Sequence, residues 1–267
     1  MTRRRRQQGI KSIEMGARLL TALAQSREPR MLRDLAVAAA MPAAKAHRYL
    51  VSLGRAGLIE QQVETGRYDL GAFALELGLA ALARLDPVSI ASASLVELAR
   101  ETGQTVALAV WANQGPTIVR WMGADTPVAA SLRVGSVMPL TRSATGRAFL
   151  AFLPAGMTLP WAKRELADNA AKGLAPSSPQ ELETIAARIR RRGFARTSEF
   201  IPGIGGMAVP VFDHSGAMTL ALVALGYSKP FDADFGRIST AVVRAARALT
   251  GRLGGPRCGI DGTLAAV

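Results

Sequence analysis

Apolar positions recur at helical spacing from the start of the chain. Within residues 10–25, Ile13, Ala17, Leu20 and Ala24 share one face, which predicts a first helix turned inward along that stripe. A loop at 26–30 contains Pro29. Leu32, Leu35, Ala36 and Ala39 then repeat the spacing up to a break at Ala40-Met41-Pro42. Proline suits the first turn of the next helix, because the amide it lacks has no partner there. That helix places Ala46, Tyr49, Leu50 and Leu53 on one face and Lys45, His47, Arg48, Ser52 and Arg55 on the other, and Gly57 is suited to close it. Residues 59–63 and 67–70 read as short strands joined by Glu64-Thr65-Gly66. Helix, tight turn, basic helix and hairpin form the layout of a winged helix-turn-helix. Its second helix enters the major groove and its hairpin lies along the DNA backbone.

The pattern then changes. Residues 72–85, AFALELGLAALARL, are apolar on nearly every side. Such a helix is buried between elements or between subunits, so two readings stand: a linker helix that pairs two protomers, or an internal helix of one domain. Asp86-Pro87 ends it. A helix over 88–102 stops at Gly103. Period two follows at 105–111 and 117–122 around Asn113-Gln114-Gly115, a hairpin signal, with a third strand at 128–134. Helices are predicted at 143–153, capped by Ser143 or Thr141, at 159–169, and at 179–192 with Leu182, Ile185, Ala186 and Ile189 inward. A strand at 194–200, a glycine loop at 201–206, strands at 207–212 and 218–227, and a long closing helix over 232–253 complete the pattern. The fold class is therefore a two-domain α/β (α+β) chain whose second half is an antiparallel sheet covered by helices. The expected divisions are an arm at 1–9, a DNA-binding domain at 10–71, a linker helix at 72–87, a second domain at 88–253 and a frayed tail at 254–267.

Charge sharpens the picture. The 267 residues hold 33 basic and 20 acidic side chains, a net +13. This favours an anionic partner, most simply nucleic acid and next an anionic membrane surface. Residues 1–80 carry 13 basic and 7 acidic side chains, so their charge density is roughly twice that of the remainder. Arg3 to Arg6 lack a following apolar stretch, so they make no secretory signal. They read as a solvated tail or as a phosphate or minor-groove contact. The single cysteine, Cys258, excludes an internal disulfide and fits a reducing cytoplasm. No apolar run approaches the ~20 residues needed to span a bilayer.

Residues 31–71 resemble the DNA-binding domain of the IclR family of bacterial transcriptional regulators. The resemblance rests on His47-Arg48-Tyr49-Leu50, Gly57-Leu58-Ile59 and Gly66-Arg67-Tyr68-Asp69-Leu70-Gly71 in order and spacing. Two positions depart. The family usually has Ser or Thr at the start of the recognition helix, where this chain has Ala43, Ala44 and Ala46. It often has Gly in the turn, where this chain has Ala40. Residues 132–154 and 191–226 are similar to two blocks of the family's effector domain, so the resemblance implies a GAF-like second domain. It further implies a homodimer or dimer of dimers, a double-stranded operator and a small-molecule effector. By position, the effector site would include Ala130, Ser143, Ala144, Thr145, Arg196, Gly203, Gly206, Val223 and Leu225. Some members have an acidic side chain at Arg196 and serines at Val223 and Leu225. The changes here imply a hydrophobic or aromatic carboxylic acid with its charge toward Arg196 or the helix at Ser143. Independently of the resemblance, free N–H groups at 143–146 form an anion seat. Val223 and Leu225 also read simply as core.

No catalytic constellation is visible. His47 and His214 stand apart from any cysteine or paired carboxylate, and G-x-S-x-G and P-loop motifs are absent. No metal or cofactor is implied. The leading reading is a ligand-responsive DNA-binding regulator. In it, Lys45, Arg48 and Arg67 neutralise phosphates, Lys45 and His47 approach base edges, and Ser52 and Arg55 complete the face. Its half-sites would lie one helical turn, ~34 Å, apart. The alternative is an enzyme of small molecules carrying a basic nucleic-acid-binding module. A nonspecific nucleic-acid packing protein is a third option, and it would not need so large a second domain.

Overall fold

The computed structural model describes residues 9–123, 132–198 and 200–256. The run Arg3 to Arg6, Ala130, most of the strand expected at 128–134, and Cys258 lie outside the described residues. The chain folds as two units, residues 1–85 and 86–267.

The first unit comprises α1 (Lys11–Ala24), α2 (Leu32–Ala38), α3 (Ala43–Arg55), β1 (Ile59–Gln61), β2 (Tyr68–Leu70) and α4 (Ala72–Ala83). Its core gathers Leu19, Leu35, Ala46, Leu50, Ile59 and Tyr68. On α1 the buried stripe is Met15, Gly16, Leu19 and Leu23, not the one through Ile13, Ala17, Leu20 and Ala24, and Ile13 is exposed. Two apolar stripes lie side by side on this helix. Burial goes to the one that faces Tyr49 and Leu53 of α3 beside Gly16. The turn after α2 is a Schellman closure: Met41 N donates to Ala36 O across 2.9 Å. Ala40 occupies its left-handed position, with φ 51°. Pro42 is the residue before α3 rather than part of its first turn.

A left-handed conformation is costly for any residue with a Cβ, and glycine adopts it freely. Ala40→Gly is therefore expected to stabilise the first unit by about 0.5–1 kcal/mol. Urea or thermal unfolding of the two proteins checks this, and an unchanged or lowered midpoint would contradict it.

The strands of the hairpin are shorter than the sequence suggests. Gln62 N donates to Arg67 O and Gly66 N to Gln62 O, each across 2.8 Å, so the turn takes over at Gln62. Arg30 bridges Tyr68 in both directions, at 2.9 and 2.8 Å, which ties the hairpin to the loop ahead of α2. Helix α4 has no buried residue, and Phe73, Leu75, Leu77 and Leu79 are exposed.

The second unit comprises α5 (Pro87–Thr102), β3 (Thr105–Ala112), β4 (Gly115–Met122), α6 (Ala144–Phe152), α7 (Ala155–Ala171), α8 (Pro179–Arg192), β5 (Ala195–Thr197), β6 (Ile204–Phe212), β7 (Met218–Tyr227), α9 (Ser228–Ala233) and α10 (Phe235–Arg252). The sheet order is β4-β3-β7-β6-β5, antiparallel throughout. Helix α6 packs on one face, with α7 and α8 beside it. Helices α5 and α10 cover the other. Asp86 caps α5, accepting from Val88 N and Ser89 N.

Several elements differ from expectation. Residues 132–134 form no strand; the stretch that meets β4 is Gly135 to Met138, through Ile118 N to Ser136 O and Gly135 N to Ile118 O. Helix α7 starts four residues early and runs through Pro160. Strand β5 is short, while β6 takes in Gly205 and Gly206, so the glycine loop ends at Gly203. The closing helix breaks at Asp234. Phe231 is fully buried against the backbone of Gly205 and Gly226, and the chain must turn to place it there. Gly254 bridges Asp213, and Gly255 N donates to Thr250 O. The start of the tail is thus docked rather than frayed.

Asp213 organises the β6–β7 turn. Burial alone would raise its pKa, but hydrogen bonds from the Ser215 hydroxyl, Ser215 N and Ala217 N hold its carboxyl below the usual aspartate range. Its contribution is thus present above the unfolded pKa and fades as pH falls through the folded one. Among the described residues, no single helix is long and apolar enough to cross a membrane.

Candidate nucleic-acid interface and ligand cavity

Helix α3 is fixed in the first unit by Ala46 and Leu50, both buried, with Tyr49 and Leu53 half-buried beside them. The opposite side is open. Ala43, Ala44, His47, Arg48, Ser52 and Arg55 are exposed, Val51 is 42% exposed, and Lys45 is half-buried. At ~100° per residue, Ala44, Arg48, Val51 and Arg55 form the central stripe of this face. Lys45 and His47 lie on opposite flanks of it. Both cannot therefore reach the same base edges, and Arg48 takes the central place. Among the described residues, Lys45, His47, Arg48 and Arg55 take part in no ion pair, so the three cations Lys45, Arg48 and Arg55 are available to phosphate or bases. The Ser52 hydroxyl donates to Arg48 O at 3.0 Å and is partly spent inside the helix.

The hairpin is a weaker phosphate contact than its position suggests. Residues 59–70 hold Glu60, Glu64 and Asp69 against the single cation Arg67. Arg67 Nη1 turns back to donate to Pro29 O at 3.3 Å. A charge count over this stretch was available from the sequence and points the same way.

In the second unit, the N-terminus of α6 lies against the sheet beside a small cavity. Ser143 caps the helix: its Oγ accepts from Gly146 N at 2.8 Å and donates to Pro139 O at 2.7 Å. Thr141 has another partner. Both its N–H and its hydroxyl donate to Glu165 Oε2 at 2.8 Å, while Leu140 N donates to Oε1 at 2.7 Å. Asn169 Nδ2 donates to Thr141 Oγ1, and Arg147 Nε donates to Thr141 O. This buried network pins the turn from which α6 starts. Of the first-turn residues, Ala144 and Thr145 line the cavity, while the Gly146 amide is taken by the Ser143 cap.

The cavity measures about 40 Å³. Ser143, Ala144, Thr145, Gly206, Val223 and Leu225 stand on its wall, joined by Leu132, Met138, Thr197, Phe200, Ile201 and Ile204. Val223 and Leu225 belong to the core cluster as well. Gly203, with φ 77°, is in the turn before β6 and not on the wall. Ala130 lies outside the described residues.

Arg196 is not brought to the cavity. Its neighbours Ala195 and Thr197 face the α6 side, and the period of two sends Arg196 through the sheet to the other face. There it pairs with Asp232 and its guanidinium carbon lies 3.9 Å from the centre of the Phe235 ring. The charge contact expected of it with an effector is therefore withdrawn. The same alternation would have identified Thr197 and Ile204, which the sequence reading missed. Phe200, Ile201 and Leu132 arrive from irregular segments and carried no periodic signal. Among the described residues, no group of three or more His, Cys, Asp or Glu side chains is placed to hold a metal ion.

A winged helix-turn-helix followed by an α+β domain with a small cavity is the layout of a one-component transcriptional regulator. Comparison with known proteins gives the family. Residues 12–63 match the IclR helix-turn-helix domain, and residues 79–250 match the bacterial transcriptional regulator IclR C-terminal domain. The chain belongs to the IclR family. It is similar to the glycerol operon regulatory protein of Streptomyces coelicolor, at 30% identity over 76% of this chain and 80% of that one. It is also similar to the transcriptional repressor IclR of Escherichia coli, at 27% identity over 93% and 92%. Among solved structures, HmgR of Pseudomonas aeruginosa superimposes with a TM-score of 0.84, at 35% identity over 95% of this chain and 100% of that one. These relatives are regulators, and the chain is a transcriptional regulator, not an enzyme. The alternative of an enzyme with an appended basic module falls with this.

Proposed function

We propose that the protein is a dimeric, effector-responsive regulator. In this reading α3 reads a double-stranded operator in the cytoplasm, and the cavity beside α6 receives a small aromatic or hydrophobic carboxylic acid. One observation carries the ligand assignment. The cavity wall is apolar, from Met138 and Phe200 to Val223 and Leu225, except for Ser143 and Thr145 at the start of α6 and Thr197 at the end of β5. A helix N-terminus favours a carboxylate, and the apolar wall favours a ring. The exposed apolar surface of α4 supports pairing of two protomers through that helix. Two copies of α3 would then address half-sites roughly 34 Å apart.

The cavity is smaller than a ring requires, since an apolar space of roughly 150 Å³ admits benzene. Entry of an aromatic acid therefore displaces Leu132, Phe200 and Ile201, which lie on irregular segments. Such a shift changes the populations of domain arrangements that fit or do not fit the operator. The test is fluorescence anisotropy on an operator selected by the full-length protein from random duplexes. It is run with benzoate and phenylacetate, then with acetate and pyruvate. An aromatic acid is expected to change operator affinity at least tenfold, and the short acids are not. Response only to the short acids, or to none of the four, would overturn the assignment.

A further inference from the structure

The exposed face of α3 is not uniformly polar. Its central stripe alternates Ala44, Arg48, Val51 and Arg55, with Ala43 adjoining. Val51 is a large apolar side chain left 42% exposed on a helix whose opposite side packs normally. It plays no part in the core cluster of its unit. Cations alone would suffice for phosphate contact. Methyl groups between them have no value against a phosphate backbone, but they have a specific partner in the major groove. Of the base-edge groups displayed there, the thymine C5-methyl is the apolar one.

We propose that Ala44 and Val51 read thymine methyl groups on either side of the position addressed by Arg48. This rests on the assignment of α3 as the DNA-reading helix and adds the chemistry of what it reads. Ala44 then acts as a reader in its own right, a short side chain that brings the helix close enough for a methyl-to-methyl contact that a hydroxyl would make polar. The two contacts are seven residues apart, ~10 Å along the helix. That is about three base-pair steps when the helix follows the groove. The half-site is thus expected to carry two thymines about three base pairs apart, on either strand, with a guanine between them as the partner of Arg48.

The experiment replaces each thymine of the selected operator, one at a time, by deoxyuridine, which lacks only the methyl group. Affinity is measured with the full-length protein, with Val51→Ala and with Ala44→Ser. Both substitutions are at exposed helical positions. Burial of one methyl is worth about 0.8 kcal/mol, or roughly a fourfold change in affinity. With the unchanged protein, two thymines per half-site are expected to show that loss on conversion to deoxyuridine. In Val51→Ala the loss at one of them shrinks toward nothing while the other persists. In Ala44→Ser the pattern reverses. Tight, specific binding with no deoxyuridine penalty at any thymine overturns the inference alone, as does a penalty unchanged in both variants. Equal affinity for the selected operator and scrambled DNA overturns the DNA-reading assignment as well.

Discussion

Arg48→Ala is expected to lower affinity for the selected operator by about five- to 150-fold while leaving binding to unrelated DNA nearly intact. The residue is exposed at the centre of the open face of α3, between Ala44 and Val51, and takes part in no ion pair among the described residues. A bidentate arginine–guanine contact discriminates by about 1–3 kcal/mol, which sets the range. Anisotropy across a salt series separates the two roles open to a cation there. A base contact reduces specific binding and leaves the nonspecific salt slope unchanged. A phosphate contact weakens every sequence alike and removes about one unit of slope. The second result would move Arg48 from reading to positioning.

Gly146→Ala carries the largest expected effect on folding. A Cβ at this position would stand 2.1 Å from Pro139 O and 2.5 Å from Leu140 Cα, both backbone atoms. The turn they belong to cannot yield easily, because Glu165 accepts from Leu140 N, Thr141 N and the Thr141 hydroxyl. Either α6 lifts from the sheet or this network breaks. A loss of about 3 kcal/mol or more follows, enough to lower the melting temperature of the second unit by many degrees or prevent its folding. Gly156→Ala is the matched control. It lies in the first turn of α7 with nothing within 4 Å of its added carbon, and is expected to be neutral or slightly stabilising. Equal melting of the two variants, followed by circular dichroism, would refute the argument.

Where local chemistry decides, the sequence was legible. Helix α8 spans Pro179–Arg192 as expected, because Ser178 caps it, Pro179 suits its first position and Gly193 ends it with φ 77°. Strand β7 follows its apolar run from Met218 to Tyr227 without correction. Where packing decides, legibility failed. Two stripes on α1 are equally apolar, and only the presence of α3 selects one. The break at Asp234 answers to the burial of Phe231 against a strand far earlier in sequence. Glu165 gives no local signal of its role, since its partners lie 24 and 25 residues away. Arg196 shows the difference between proximity in sequence and orientation in space. Its strand was identified, but its side depended on a register that pairs Arg196 with Met207 and Thr197 with Gly206.

If the tight space beside α6 is the effector site, as proposed above, it also bears on when such a regulator responds. A sensor whose resting site is too small for its ligand loses apparent affinity in proportion to the fraction of molecules that have widened it. With about one molecule in a hundred widened, a ligand of micromolar intrinsic affinity acts only near ~0.1 mM. Shape alone then sets a concentration threshold, below which traces of the compound go unanswered. Substitutions that loosen Phe200 or Ile201 would lower that threshold without adding any contact to the ligand itself.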